Sequence, residues 1–338
     1  MTIQDREIAV EPGVREVVAD AAGAAALLEI GDRLGLVPHF ENGEPVTADQ
    51  LARDTLVPHE GVARYLEAMA RAGLMVEAGE TAGTFRVIEE FPQIQYESGY
   101  LSWALGANRP FITHSPEFLR AAPDAGKRHQ RDGRHVAVSS QWMGSKGFYP
   151  VALRTILDAR PGHVVDLGAG TARLLITILL ELKESTAVAL DLDGEACKEA
   201  GLAAERAGAG DRLSVVERSI QSVADDPAPV QGADVVHAGF VFHDMMPEEE
   251  DVADQVLARC REGLRPGGMM ALTEAVPYAP AERERRFSAI VTYYHQQFMR
   301  RRLLDETEWM DKLRAAGFSD VRCVPHRFPT GRLFIATK

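Results

Sequence analysis

Eight residues, Val164-Val165-Asp166-Leu167-Gly168-Ala169-Gly170-Thr171, restrict the fold of this chain more than any others. An apolar run ends in an acid, breaks at two glycines and passes into an amphipathic stretch over 172–182, which predicts a strand, a tight turn and a helix. Glycine at 168 and 170 lets the backbone approach a ligand closely, and the first turn of the following helix offers N–H groups that have no partner within it. About 20 residues on, Ala187-Val188-Ala189-Leu190 runs into Asp191, the spacing of a second strand whose terminal acid can bind a ribose hydroxyl. Together the two units predict a nucleoside site. The third glycine of a dinucleotide-binding turn would fall at Arg173, so a pyrophosphate is not the expected ligand.

The string Asp166-Leu167-Gly168-Ala169-Gly170-Thr171 resembles the first motif of class I S-adenosylmethionine (SAM)-dependent methyltransferases. The resemblance implies that Asp166, Gly168, Ala169 and Gly170 lie near the methionine end of SAM, Asp191 on its ribose, and Ser219 and Ile220 beside its adenine. Many relatives carry an acid where this chain has Ser219. Apolar runs at 213–217, 234–238 and 269–274, separated by helical patterns, predict a parallel sheet with helices on both faces, and runs at 320–324 and 332–337 predict a hairpin at one edge. Residues 151–338 are therefore expected to form a Rossmann-like α/β methyltransferase domain, with ligands gathered at the carboxyl ends of its strands.

Upstream, residues 1–95 predict a mainly helical winged-helix domain. Helical spacing over 14–40 covers roughly two helices, Thr47 with Gln50 forms a capping-box pattern, and a helix over 59–72 ends at Gly73 before two wing strands at 74–76 and 84–88. A net charge of −13 and a would-be recognition helix mixing Glu60 and Glu67 with Arg64 and Arg71 argue against DNA binding, so this domain is expected to mediate a homodimer. The N-terminal residues lack the apolar core of a signal peptide and no run is long enough to span a bilayer, which gives a cytoplasmic expectation. Cys197, Cys260 and Cys323 are too dispersed to predict a disulfide framework or a zinc knuckle. Residues 96–150 form a helical linker rich in large side chains, among which Trp103 and Trp142 are candidate walls of a substrate pocket and Arg128 a candidate partner for a substrate carboxylate.

Past the fourth strand, Phe240-Val241-Phe242-His243-Asp244-Met245-Met246-Pro247 sets a polar pair within an apolar run. The chain is similar along nearly its whole length to O-methyltransferases with an N-terminal winged-helix dimerisation domain, in which a histidine at this place deprotonates a hydroxyl. His243 matches it, although Met245 stands where many relatives have tryptophan. A second histidine, His295, lies in a helical pattern over 287–298 that follows the fifth strand, beside Tyr294. Two histidines and a carboxylate can make a 2-His-1-carboxylate face for iron, while a metal-free base role for His243 stays open on spacing alone. His243-Asp244 with His295 also resembles the non-haem-iron phenylpyruvate C-methyltransferases of mannopeptimycin-type antibiotic biosynthesis. That resemblance implies iron on His243, Asp244 and His295 and an α-keto acid methylated at its β-carbon; the sequence leaves zinc open, and Phe240 and Tyr294 are further candidates for the pocket. The alternative is a metal-free O-methyltransferase.

Overall fold

The computed structural model describes residues 12–78, 82–278 and 285–338. By contacts the chain divides into two units, Met1–Ile112 with Arg131–Gly144, and Thr113–Gln130 with Ser145–Lys338. The stretch 96–150, expected as one linker, is thus shared between them.

In the first unit, Pro12–Arg33 is a single helix of 22 residues followed by a short turn at Val37–Phe40, where two helices were expected. Gly35, at φ 73°, gives the backbone its reversal between them. Thr47 caps the helix Ala48–Thr55 by accepting from Gln50 N, and His59–Arg71 follows. Strands β1 (Val46–Thr47), β2 (Met75–Glu77) and β3 (Thr84–Val87) pair antiparallel in the order β1-β3-β2, completing the winged-helix arrangement. Trp103 and Trp142 are both buried in this unit, and Trp142 packs in its core with Leu28, Phe40 and Phe91.

The second unit is built on seven strands: β4 (His163–Leu167), β5 (Thr186–Asp191), β6 (Leu213–Glu217), β7 (Val235–Gly239), β8 (Met269–Ala275), β9 (Ser319–Pro325) and β10 (Gly331–Thr337). Their order is β6-β5-β4-β7-β8-β10-β9. The first five run parallel, and β10 inserts antiparallel between β8 and β9. Side chains alternate between two cores, as strand geometry requires. Leu333 and Ile335 join the helices Tyr149–Ala159, Arg173–Glu181 and Gly194–Arg206 on one face, and Phe334 and Ala336 join Glu250–Gly263 and Glu306–Ala315 on the other. With both faces covered, the strands can be apolar almost throughout, which is why their runs show in the sequence.

Chain order reverses at β4, whose neighbours are β5 on one side and β7 on the other. A crevice opens at the carboxyl ends of strands at such a point. The loops after β4 and β7 meet there: a Cβ on Gly168 would lie 2.4 Å from Val241 Cγ1. Phe242 anchors the second loop, fully buried with its ring edge-on to Trp309 at 6.4 Å. Phe242→Ala is expected to lower the unfolding free energy by about 3–5 kcal/mol, measured by urea denaturation.

Candidate active site

The glycine turn is tied to the neighbouring strand before any ligand arrives. Gly168 N and Ala169 N donate to Leu190 O at 2.8 and 3.0 Å, and Gly170 N donates to Asp191 Oδ2 at 2.7 Å. Positive φ at Gly168 (74°) and Gly170 (53°) makes this path possible, and the contact with Val241 leaves no room for a side chain at 168. Asp191 Oδ1 accepts from Asp193 N at 2.9 Å, so the carboxylate bridges the two loops that would flank a ribose. Asp191 pairs in register with Glu217, placing a second acid at the adjacent strand end. Ser219 precedes the turn Ile220–Val223, its carbonyl accepting from Ser222 Oγ at 2.6 Å, and Ile220 is buried. Asp166, at the end of β4, is buried and accepts from His237 Nδ1 of β7 at 2.6 Å.

The second half of the site begins with backbone strain. Phe240 has φ 56°, a left-handed conformation that is uncommon for a bulky side chain. It reverses the chain after β7 and starts the turn Phe242–Met245. Glu274, on β8 and 0% exposed, holds that turn: Oε1 accepts from Phe242 N at 2.8 Å and His243 N at 3.3 Å, and Oε2 accepts from His243 Nδ1 at 2.7 Å. Burial opposes a charge on His243, but the charge and hydrogen bond of Glu274 outweigh it. Asp244 adds to the effect and Arg301 subtracts from it, and the imidazole is raised to about 9.

His295 reaches the same edge by a different device. The helix Arg285–Tyr293 widens into a π turn at Tyr294–Phe298, and His295 Nδ1 lies 2.7 Å from Val291 O. The rings of His243 and His295 are 5.1 Å apart between centroids at an interplanar angle of 77°. Both Nδ1 atoms face oxygen acceptors, so the lone pair of each neutral ring falls on Nε2, the arrangement in which an outer carboxylate or carbonyl orients a ligating imidazole. Asp244 is largely exposed; its Oδ1 lies 3.7 Å from His243 Nε2 and 3.5 Å from Arg301 Nε, and its carbonyl accepts from Arg301 Nη1. Arg301 N donates in turn to His295 O at 2.7 Å, lacing the two segments together.

The remaining candidates for the pocket separate. Phe240 packs against Phe148 and Phe328 at 4.7 and 5.9 Å, and Tyr294 is buried beside Phe298. Arg128 is committed to Glu117 at 3.1 Å, and Trp103 and Trp142 belong to the first unit. Sequence reasoning passed over Glu274 and Arg301. An acid closing the fifth strand was a usable signal for Glu274, because β8 neighbours the strand that delivers His243; Arg301, inside the run Arg300-Arg301-Arg302, offered none.

Residues 165–270 match a family described as "Methyltransferase domain". The chain carries a SAM-dependent methyltransferase domain. It is 23% identical over 244 residues to the methyltransferase ungE' of Aspergillus campestris (strain IBT 28561), covering 72% of this chain and 70% of that one. It is 33% identical over 116 residues to the 2,7-dihydroxy-5-methyl-1-naphthoate 7-O-methyltransferase of Streptomyces carzinostaticus, covering 34% of this chain and 32% of that protein. The fold matches human N-acetylserotonin methyltransferase in complex with SAM, with a TM-score of 0.58 and 16% identity over 98% of this chain and 99% of the other.

Two outcomes are expected of this methyltransferase. Gly168→Ala should abolish SAM binding by calorimetry, since the added carbon meets Val241 at a φ that favours glycine. In chelator-treated protein, the pairing of His243 with Glu274 stabilises the fold fully below the ordinary imidazole pKa of about 6.5, and the effect is lost as pH rises through about 9. The stability difference between wild type and Glu274→Gln should therefore be larger at pH 6 than at pH 10, measured by urea denaturation.

Proposed function

We propose that this methyltransferase moves the methyl group of SAM to the β-carbon of phenylpyruvate or a close aryl α-keto acid, held on a non-haem iron by His243, Asp244 and His295. The reaction is that of the phenylpyruvate C-methyltransferase of mannopeptimycin biosynthesis and would belong to the formation of an antibiotic or related secondary metabolite. The observation that carries the reading is the pair of facing imidazoles, each with Nδ1 on an oxygen acceptor, beside an exposed carboxylate. Two nitrogens and an oxygen suit a first-row cation with open positions. Among the described residues the trio whose ligand atoms all lie within 4.8 Å of one another is a different one, so these three side chains must draw together on an ion, with Asp244 exchanging Arg301 for it.

A bound iron would supply Lewis acidity toward the charge that develops on the keto oxygen when the β-carbon loses its proton. The chain supplies orientation. Glu274 fixes the ring of His243 and Val291 that of His295. Arg301, on leaving Asp244, becomes the cation for a substrate carboxylate, in place of Arg128. The rings of Phe240, Phe148 and Phe328 form an apolar wall suited to a phenyl group. The β-proton passes to water, the electron pair it leaves on the β-carbon forms the new carbon–carbon bond as the carbon–sulfur bond of the sulfonium breaks, and SAM departs as S-adenosylhomocysteine. Val17, Val18 and Ile30 stay exposed on the helix Pro12–Arg33, which supports the expected homodimer through that helix.

The second reading, metal-free O-methylation with His243 as base, is favoured by the buried Glu274 on its ring and by the similarity to the naphthoate 7-O-methyltransferase. Against it, a metal-free base needs one imidazole, and it gives no role to the ring of His295, 5.1 Å from that of His243. Protein purified without a histidine tag should contain iron and convert phenylpyruvate to a product methylated at carbon, identified by NMR. Chelation should stop the reaction and iron restore it, and His295→Ala should lower kcat/KM by more than about tenfold. Full activity after chelation, or an ether product, defeats the iron reading.

A further inference from the structure

A second set of ligating side chains stands apart from this centre. The segment Ser115–Arg128 is not one straight helix: Ala121, at φ −154° and ψ 73°, breaks it, with Pro123 just after. A straight helix rises about 1.5 Å per residue and would hold His114 and His129 some ~22 Å apart. The break instead folds the last turn back onto the first, and the two imidazoles stack at 3.6 Å between centroids with 3° between planes. Glu117, on the first turn, faces both: Oε1 is 3.5 Å from His114 Nδ1 and Oε2 is 3.0 Å from His129 Nε2, with Arg128 Nη2 at 3.1 Å from the same Oε2. The hydrogen bond from His129, foremost, holds the Glu117 carboxyl below its usual range. All three ligand atoms lie within 4.8 Å of one another, and the three residues are partly buried.

We propose that His114, Glu117 and His129 form a binding site for a borderline divalent cation of the zinc type, closing the two ends of the kinked segment into a clip. Two histidines and a glutamate are a known donor set for zinc, at about 2.0–2.2 Å, so in a tetrahedral site neighbouring ligand atoms stand about 3.4 Å apart. The contacts of Glu117 with the two imidazoles, at 3.5 and 3.0 Å, are already at that scale. Lone pairs lie in the ring planes and parallel planes share no point, so on binding one ring turns well out of the stack to aim both at one ion, Arg128 gives up its contact with Glu117, and water fills the fourth position from the exposed side. Such a clip bears on the methyl-transfer centre, because the Phe118 ring packs on Phe298 of the π turn at 5.4 Å and near His129 at 6.4 Å. It stiffens the ground beneath His295 without touching substrate.

Tag-free, chelator-treated protein carrying His295→Ala isolates this site from the proposed iron centre, so failure of the iron reading leaves the result intact. Titration with cobalt(II), read by visible absorption, should show one equivalent bound in a low-symmetry N/O environment, displaced by zinc. Zinc should also raise Tm with concentration. Adding Glu117→Gln or His129→Gln should weaken cobalt by more than about tenfold and remove the zinc-dependent rise in Tm, with the circular dichroism spectrum unchanged; Glu117→Gln, on a more exposed side chain, serves if His129→Gln fails to fold. No cobalt uptake by the His295→Ala protein, or uptake unaffected by Glu117→Gln, overturns the proposal.

Discussion

The contact between Glu274 and His243 governs the second half of the candidate site. A carboxylate with no exposed surface is costly unless its oxygens are satisfied, and three donors from one turn satisfy it. The same contacts fix the backbone of residues 242 and 243 and the plane of one imidazole. Neighbouring strands carry the two partners, so the sheet itself sets their separation. A turn after a strand is ordinarily among the more mobile parts of a fold; here three hydrogen bonds tie it to an acid buried in the sheet.

The crevice follows from strand order. Because β5 and β7 flank β4 on opposite sides, the glycine turn and the His243 turn emerge side by side, and the absent side chain at Gly168 lets Val241 close against it. A donor bound along the glycine turn and an acceptor at His243 would then meet without any large movement of the chain, and held geometry of that kind can lower a bimolecular barrier considerably. Phe240 holds its strained conformation at the hinge between the two halves.

Much of this was legible in the residues. The strands of the second unit are nearly continuous apolar runs because helices cover both sheet faces, and the glycine turn announces itself by spacing. His295 could be expected over the carboxyl edge because its helix follows the fifth strand, and its ring lies against that of His243. What could not be read were pairings that depend on lateral order in the sheet. Asp166 is hydrogen-bonded to His237 because β7 lies next to β4, which the sequence does not announce. Nor could the pairing of Arg128 with Glu117 be read, since it follows from the break at Ala121 within one helical segment. The first helix runs unbroken to Arg33, past Gly23 and Gly31, because small residues weaken a helical pattern without ending it.

The π turn at Tyr294–Phe298 also bears on kinship among such chains. It spends one residue more than an α-helical path would, and each residue turns a helix by about 100°. A homologue shorter by one position between Val291 and Phe298 would swing the side chain equivalent to residue 295 away from its partner ring, while leaving every strand in register. On the iron reading proposed above, gaps of a single residue at this spot would divide descendants of a common ancestor into those that can grip a cation between two imidazoles and those that work with one.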